Sequence, residues 1–519
     1  GYIMKTSNSY FLLSFFCFIT LSFSQSLPKD FDAYVESVRK TFTVPGIAVA
    51  VVKDGKVVLA KGYGVKTVGT NDKVDSKTNF SIASNTKAFI GTSLGMLVDD
   101  GKLKWDDRVI DHLPWFQMSD PYVTREMRII DLLCHRSGLG LGAGDLLIWP
   151  TNTYKQKDVI KRFRHVPLAT SFRSSYAYDN ILYLVAGEVI EAVSAMPWDE
   201  FVRTRIFKKL GMNNSTLTFA EAVRKGNVAT PHAEIQGVVR PVAASDSDKT
   251  NPAATINTNA EDIAKWMICQ LDSGKLADGT RLFSETTTRT LWSVATPIPV
   301  SKVAKELAPL QPNFAGYGGG FSLRDYRGKK LVWHTGGLSG MVSLVAMIPE
   351  LRVGVAVFTN QEITGAFYSI GWRVLDHYLN EKYDWLSAYK AVKARIDSMN
   401  TVVDTKTMTT RDSLSKPSLP LEKYVGIYND AWYGDVTIEM RNGKLFMQMV
   451  PTPSLGGYLE HYQYDTFIAR WSDPEMRADA FVTFSLKPDG SIEQVKMKAV
   501  SQSTDFSFDF HDLLLKPVR

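Results

Sequence analysis

Ser84-Asn85-Thr86-Lys87 opens an apolar run, Ala88-Phe89-Ile90 through Leu94, Leu97 and Val98, that reads as a helix. Residues three apart on a helix share a face, so the Ser84 hydroxyl and the Lys87 amine can meet. A serine hydroxyl is a weak nucleophile until a neighbouring base takes its proton. Lysine serves as that base only when burial or another cation pulls its pKa down from ~10.4. A helix N-terminus acts in the same direction and also stabilises developing negative charge. The spacing alone decides nothing, because it recurs at Ser26/Lys29, Ser37/Lys40, Ser387/Lys390 and Ser413/Lys416. Such a pair is ordinarily solvated.

Two further segments give Ser84 and Lys87 company. Tyr178-Asp179-Asn180 precedes the apolar stretch Ile181–Val193, placing a phenol and an amide two positions apart at a loop-to-helix junction. Beside a cationic lysine the phenolate of Tyr178 is favoured, and the phenol can pass protons. Read alone, these residues are a core tyrosine and a capping asparagine. His334-Thr335-Gly336-Gly337 directly follows a strand-like run, Lys330–Trp333. His334 and Thr335 can aim a cation or donor at a substrate carboxylate. Gly336 and Gly337 let the backbone approach closely and offer N–H groups to an oxyanion. Read alone, that tetrad is a strand-to-turn exit.

The elements that must position these groups follow from periodicity. Phe31, Tyr34, Val35, Val38 and Phe42 have helical spacing and are ended by Pro45-Gly46. Ile47–Lys53 and Lys56–Gly62 read as strands joined by Asp54-Gly55, a type I′ hairpin signal. Helical patterns dominate from 84 to about 310, among them Ala88–Val98 and Asn180–Val193. Strand character returns at Lys330–Trp333, Val342–Ile348 and Val353–Thr359, and Ala366–Leu379 reads as a closing helix. This order predicts one sheet built from both ends, with a helical insertion beside it and a cleft between the two. The polar segment 396–418 reads as a linker. Beyond it Tyr424–Tyr428, Asp435–Met440, Lys444–Met449, Thr466–Arg470, Ala480–Leu486 and Ile492–Val500 are short strands with turns such as Asn442-Gly443 and Asp489-Gly490, an all-β module over 419–519.

The 519 residues are 45% hydrophobic and 22% charged, and 60 basic against 54 acidic residues leave a net charge of +6. No dense Lys/Arg block is present, which argues against nucleic acid as a partner. Lys5, the apolar run Phe11–Leu21 and the small residues Ser22 and Ser24 make residues 1–24 a secretory signal peptide, with an uncleaved anchor as the alternative. The expected location is therefore the periplasm or outside the cell, without stable membrane insertion after cleavage. Cys134 and Cys269 then remain, and an oxidising compartment allows one disulfide. The eight His are scattered without zinc-site spacing, so no metal or cofactor is implied.

Ser84-x-x-Lys87, Tyr178-x-Asn180 and His334-Thr335-Gly336, in this order and at these separations, resemble the class C β-lactamase-related serine hydrolases. That group comprises class C β-lactamases, DD-peptidases, D-aminopeptidases and some esterases. Support comes from Leu133-Cys134-His135-Arg136-Ser137-Gly138-Leu139, similar to a family loop in which His135 has no catalytic role, and from the Asp-containing segment Asn259–Leu271. The similarity spans about residues 27–390, and the C-terminal part resembles a lipocalin-like module appended to some members.

The resemblance implies an α/β fold, an antiparallel sheet flanked by helices with a mainly helical inserted subdomain, over 25–395, followed by an all-β barrel. It implies Ser84 as nucleophile and Lys87 with Tyr178 as the proton relay, leaving open which is the base in each step. Asn180 would orient Lys87 and bind a substrate amide. Backbone N–H groups of Ser84 and Gly337 would form the oxyanion hole, and His334 and Thr335 would line a carboxylate or carbonyl subsite. The expected substrates are small peptides, amides or esters, with D-residue peptides first, esters next and β-lactams third; a penicillin-binding or sensing module with little turnover is the non-enzyme alternative, and a homo-oligomer is allowed. Two departures stand out. His334 replaces the lysine usual in β-lactamases, so carboxylate binding should weaken as pH rises through a His titration near ~6.5. Ala253-Ala254-Thr255 stands where many relatives have Ala-Gly-Gly. For the β module two readings are open: an accessory that stabilises or contacts a partner, or a set of loops that overhang the cleft.

Overall fold

The structure, a computed structural model, describes residues 26–244 and 249–518. The segment read as a signal peptide, 1–24, lies outside the described residues. Among those described, no single helix is long and apolar enough to cross a membrane.

The first helix, α1 (Phe31–Thr41), is followed by the hairpin β1 (Gly46–Lys53) and β2 (Lys56–Gly64). Asp54 and Gly55 both have positive φ, 50° and 75°, as a type I′ turn requires. The later strands of the same sheet are β3 (Thr296–Ile298), β4 (Ala315–Tyr317), β5 (Ser322–Tyr326), β6 (Lys329–Leu338), β7 (Met341–Ile348) and β8 (Val353–Thr359). They form an eight-stranded sheet in the order β2-β1-β8-β7-β6-β5-β4-β3. The two ends of the domain meet where β1 pairs antiparallel with β8, Ile47 opposite Thr359 and Val51 opposite Val355.

Every residue of β1 up to Val52 is buried, because both faces of the sheet are covered. Ile47, Val49 and Val51 pack in one layer with α1 and with α5 (Thr364–Tyr378), against Val35, Val38, Phe367 and Ile370. Ala48, Ala50 and Val52 face the opposite layer, which holds α2 (Thr86–Asp99), α3 (Ile181–Ser194) and α4 (Ala260–Leu271). Helix α2 is apolar all round and buried from Thr86 to Leu97, as a central helix must be. The cleft opens between this helical layer and strand β6.

Two expectations need correction, and one question the sequence leaves open is answered. His334-Thr335-Gly336-Gly337 does not follow a strand but lies within it, since β6 continues to Leu338 and pairs with β7 throughout, Gly336 opposite Ser343. Much of the segment read as a linker is helical: α6 runs Trp385–Thr409. Only Trp385, Ala388 and Tyr389 of α6 are buried; in its second half Ile396, Met399 and Val402 recur at helical spacing but stay exposed among polar residues. Cys134 and Cys269 are both buried and free, and no disulfide joins them.

The C-terminal domain contains β9 (Gly426–Asp430), β10 (Gly434–Arg441), β11 (Lys444–Met449), β12 (Gly456–Gln463), β13 (Thr466–Trp471), β14 (Ala480–Leu486), β15 (Ile492–Ala499) and β16 (Lys516–Pro517). Strands β12 and β16 were not anticipated. Neighbours run antiparallel in the order β15-β14-β13-β12-β11-β10-β9-β16, and reciprocal bonds between Val495 and Leu515 nearly close the barrel. Aromatic side chains fill its interior, Tyr424, Phe467 and Phe484 in mutual edge contact.

Candidate active site

Ser84 sits in a 3-10 turn, Ala83–Asn85, at the mouth of α2. The preceding Ala83 is left-handed, φ 48°, a strained conformation that for a non-glycine residue points to function. Strand β6 is pressed onto this turn. A Cβ at Gly336 would lie 2.1 Å from the Ile82 carbonyl and 2.9 Å from the Ser84 nitrogen, so only glycine fits. Ser343 on β7 fastens the contact, donating to the Ile82 carbonyl at 2.7 Å and accepting from Asn85 Nδ2 at 2.8 Å. Gly337, exposed at the rim, follows beside the nucleophile.

Lys87 is fully buried. Its Nζ lies 3.0 Å from Ser84 Oγ, 2.7 Å from Asn180 Oδ1 and 3.1 Å from the Ala253 carbonyl. Burial pulls the amine down to about 7, although Asp145 and Asp179 favour its charged form. Once neutral it keeps two N–H donors. Asn180 Oδ1 and the Ala253 carbonyl can only accept, so the lone pair is left facing Ser84, whose hydroxyl can donate. The Ala253-Ala254-Thr255 segment thus supplies one of the two carbonyls that orient the amine.

Tyr178 places its ring 4.8 Å from Lys87 Nζ and packs on His135, ring centres 4.3 Å apart. Its hydroxyl is buried close to Ser84 without a formed hydrogen bond. Burial raises the phenol well above its usual range, and the Ser84 hydroxyl only partly offsets this. The phenolate anticipated beside a cationic lysine is therefore disfavoured in the resting site. It is the lysine that gives up its charge.

His334 departs from the cation expected of it. Its Nδ1–H donates to the Thr335 carbonyl at 2.5 Å, so Nε2 accepts from the Tyr317 hydroxyl at 2.7 Å. Burial, aided by the charge of Lys87, lowers its pKa to about 3. The imidazole is neutral throughout the physiological range, and the predicted loss of binding through a titration near neutrality is overturned. His135, read as structural, packs against Tyr178. It is buried, its Nδ1 accepts from the Asp179 N–H at 3.1 Å, and its carbonyl accepts from the Ala177 N–H at 3.0 Å.

Ser84, Tyr178, Asn180, His334, Thr335, Gly336 and Gly337 line one cavity of about 360 Å3, with Lys87 beneath it. Sequence reasoning missed Asp145 and the C-terminal residues Asp505, Phe506 and Ser507, which line it too. The Phe506 ring stands edge-on to Tyr178 at 6.0 Å, so loops of the β module do overhang the cleft. None of the described lining residues is a lysine or arginine.

An antiparallel sheet with a helical insertion, and at the cleft a serine with a buried lysine one helical turn further on, make up the architecture of a serine hydrolase. The Beta-lactamase family model matches residues 31–379, and the chain belongs to that family. A second model, a domain of unknown function (DUF3471), matches 410–517. The unguisins hydrolase UngD of Aspergillus violaceofuscus is 27% identical over 497 residues, 90% of this chain and 87% of that protein. Penicillin-binding protein 4 of Amycolatopsis lactamdurans is 29% identical over 349 residues, 66% and 87% of the two chains. The octameric penicillin-binding protein homologue from Pyrococcus abyssi matches with a TM-score of 0.61 at 19% identity, covering 94% of this chain and 99% of that one. The D-amino acid amidase from Ochrobactrum anthropi SV3 gives 0.53 at 21%, covering 68% and 98%. At these identities the two structures show a shared fold.

Proposed function

We propose that this chain is an exported amidase or peptidase of D-residue-containing or otherwise unusual peptides, working through an acyl-enzyme on Ser84. The observation that carries the reading is the buried Lys87 amine, held by two acceptors with its lone pair toward the Ser84 hydroxyl. Lys87 takes the Ser84 proton as Oγ attacks the substrate carbonyl. The N–H groups of Ser84 and Gly337 receive the oxyanion, a pair in which each donor is worth ~3 kcal/mol of barrier. Tyr178, protonated and facing Ser84, hands a proton to the leaving amine and is recharged from Lys87. Water then releases the acyl group by the reverse path. Asn180 both orients Lys87 and offers its amide to the substrate, and Thr335 with neutral His334 binds a carbonyl better than a carboxylate.

The names of the relatives, a hydrolase and a D-amino acid amidase, support turnover of an amide. The octameric homologue supports a homo-oligomer. Incubation of the whole chain with a fluorophosphonate probe, followed by peptide mapping, should place one adduct on Ser84. In a substrate panel, D-aminoacyl p-nitroanilides should turn over faster than nitrocefin. Turnover surviving Ser84→Ala would overturn the mechanism, and preference for p-nitrophenyl esters over every amide would make the enzyme an esterase.

A further inference from the structure

The C-terminal domain reaches further than the rim of the cleft. Asp145, fully buried, follows Gly144 in a left-handed turn, φ 80°. Its Oδ2 accepts from Asn180 Nδ2 at 2.8 Å and from the Ser507 hydroxyl at 2.7 Å. The C-terminal Asp509 grips the same turn on both sides, accepting from the Gly144 N–H at 2.7 Å and the Leu146 N–H at 3.2 Å. A close approach seals the joint: a Cβ on Gly142 would be 2.8 Å from the Phe506 ring and carbonyl.

An asparagine amide has an accepting and a donating end, and either can face a neighbour. Asp145 settles the choice. As an acceptor it draws Nδ2, which leaves Oδ1 for Lys87. The chain of contacts thus runs Ser507, Asp145, Asn180, Lys87, Ser84, and its first member belongs to the other domain.

We propose that Asp145 and Ser507 are positioning residues for the proton relay: through Asn180 they fix the orientation and charge state of Lys87, so that the docked C-terminal domain is part of the catalytic apparatus. The inference rests on the acyl-enzyme reading above. The carboxyl and the amine face each other across Asn180, both held near neutrality, Asp145 raised by burial to about 7 and Lys87 lowered to about 7. The other acidic groups that act on this pair are Asp179, before α3, and Asp505 and Asp509, from the C-terminal loop. Of the two imidazoles nearby, burial disfavours the charged form of both His135 and His334. The Ser507 hydroxyl favours the Asp145 anion, and that anion favours the Lys87 ammonium. Removing the hydroxyl therefore weakens the negative charge opposite Lys87 and lets the amine form at lower pH.

The test is the rate of Ser84 labelling by a fluorophosphonate against pH, which needs no knowledge of the natural substrate. It uses the full chain as wild type, Ser507→Ala, Ser507→Thr and Asp145→Asn. Ser507→Ala should shift the acid limb to lower pH and reduce the plateau by about 10-fold, since a misoriented relay costs up to ~10²-fold. Asp145→Asn should do both more strongly, and Ser507→Thr, which keeps the hydroxyl, should restore both. A limb that stays in place in Ser507→Ala and Asp145→Asn, or a threonine variant no better than alanine, overturns the proposal even if the plateaus fall. Should Asp145→Asn fail to fold, the two Ser507 variants decide. A wild-type chain that takes no label overturns the acyl-enzyme reading instead, and this inference with it.

Discussion

The entry to α2 and the first turns of α6 carry the same four-residue spacing, Ser84-x-x-Lys87 and Ser387-x-x-Lys390, and both lie at helix N-termini. At α6 the serine and lysine are exposed, and Asp384 caps the helix by accepting from the Ser387 N–H at 3.1 Å. At α2 no side chain caps the helix. The lysine is buried, and its contacts are Ser84, Asn180 and Ala253 from three separate segments. Local spacing and helix dipole are thus shared by an exposed pair and by the pair proposed here as the reactive centre. What differs is desolvation and the direction imposed on one lone pair.

The comparison breaks first at the nucleophile. Ser84→Ala should reduce turnover by about 10⁴-fold or more, whereas Ser387→Ala leaves it unchanged; equal losses would remove the distinction. Next comes the base. Lys87→Met should lower acylation by about 10³-fold and Lys390→Met should do nothing, as measured by single-turnover release of p-nitrophenol. Gly336→Ala sharpens the role of the surroundings: its methyl must displace the Ile82 carbonyl and the Ser84 N–H. A loss of ~10²-fold in kcat is expected from a displaced oxyanion donor, with the fold intact by circular dichroism. The smallest effect concerns His334. With its pKa near 3, it contributes no inflection to kcat/KM between pH 5 and 8, and a His334→Asn variant should reproduce the wild-type profile shape in that range.

How much was legible follows the same division between local and distant information. Asp54-Gly55 specified its hairpin because two positive φ values are a local demand. Ser84, Lys87, Tyr178, Asn180 and 334–337 could be singled out because each motif is contiguous, and the structure brings them to one cavity. Strands β3 to β5 were not legible, being short, set around Gly316, Gly318, Gly319 and Gly320, and dependent on one another and on β6 for pairing. The second half of α6 was hidden because Ile396, Met399 and Val402 remain exposed and bury no continuous stripe. Asp145 and Ser507 lie 362 positions apart, and nothing near either residue announces the other. The charge of His334 was misjudged for a related reason: the depth of the site and the charge of Lys87, not the residue type, disfavour its protonated form.

The account stands or falls on Lys87 being an uncharged amine at working pH. Pre-steady-state acylation by p-nitrophenyl acetate, followed by stopped flow from pH 5 to 10, reads this directly. The rate should rise with pH, reach half its maximum near pH 7 and stay level above about pH 8.5, in line with the lowered value of Lys87. A rate that keeps climbing toward pH 10, as a solvated lysine near ~10.4 would dictate, would contradict it.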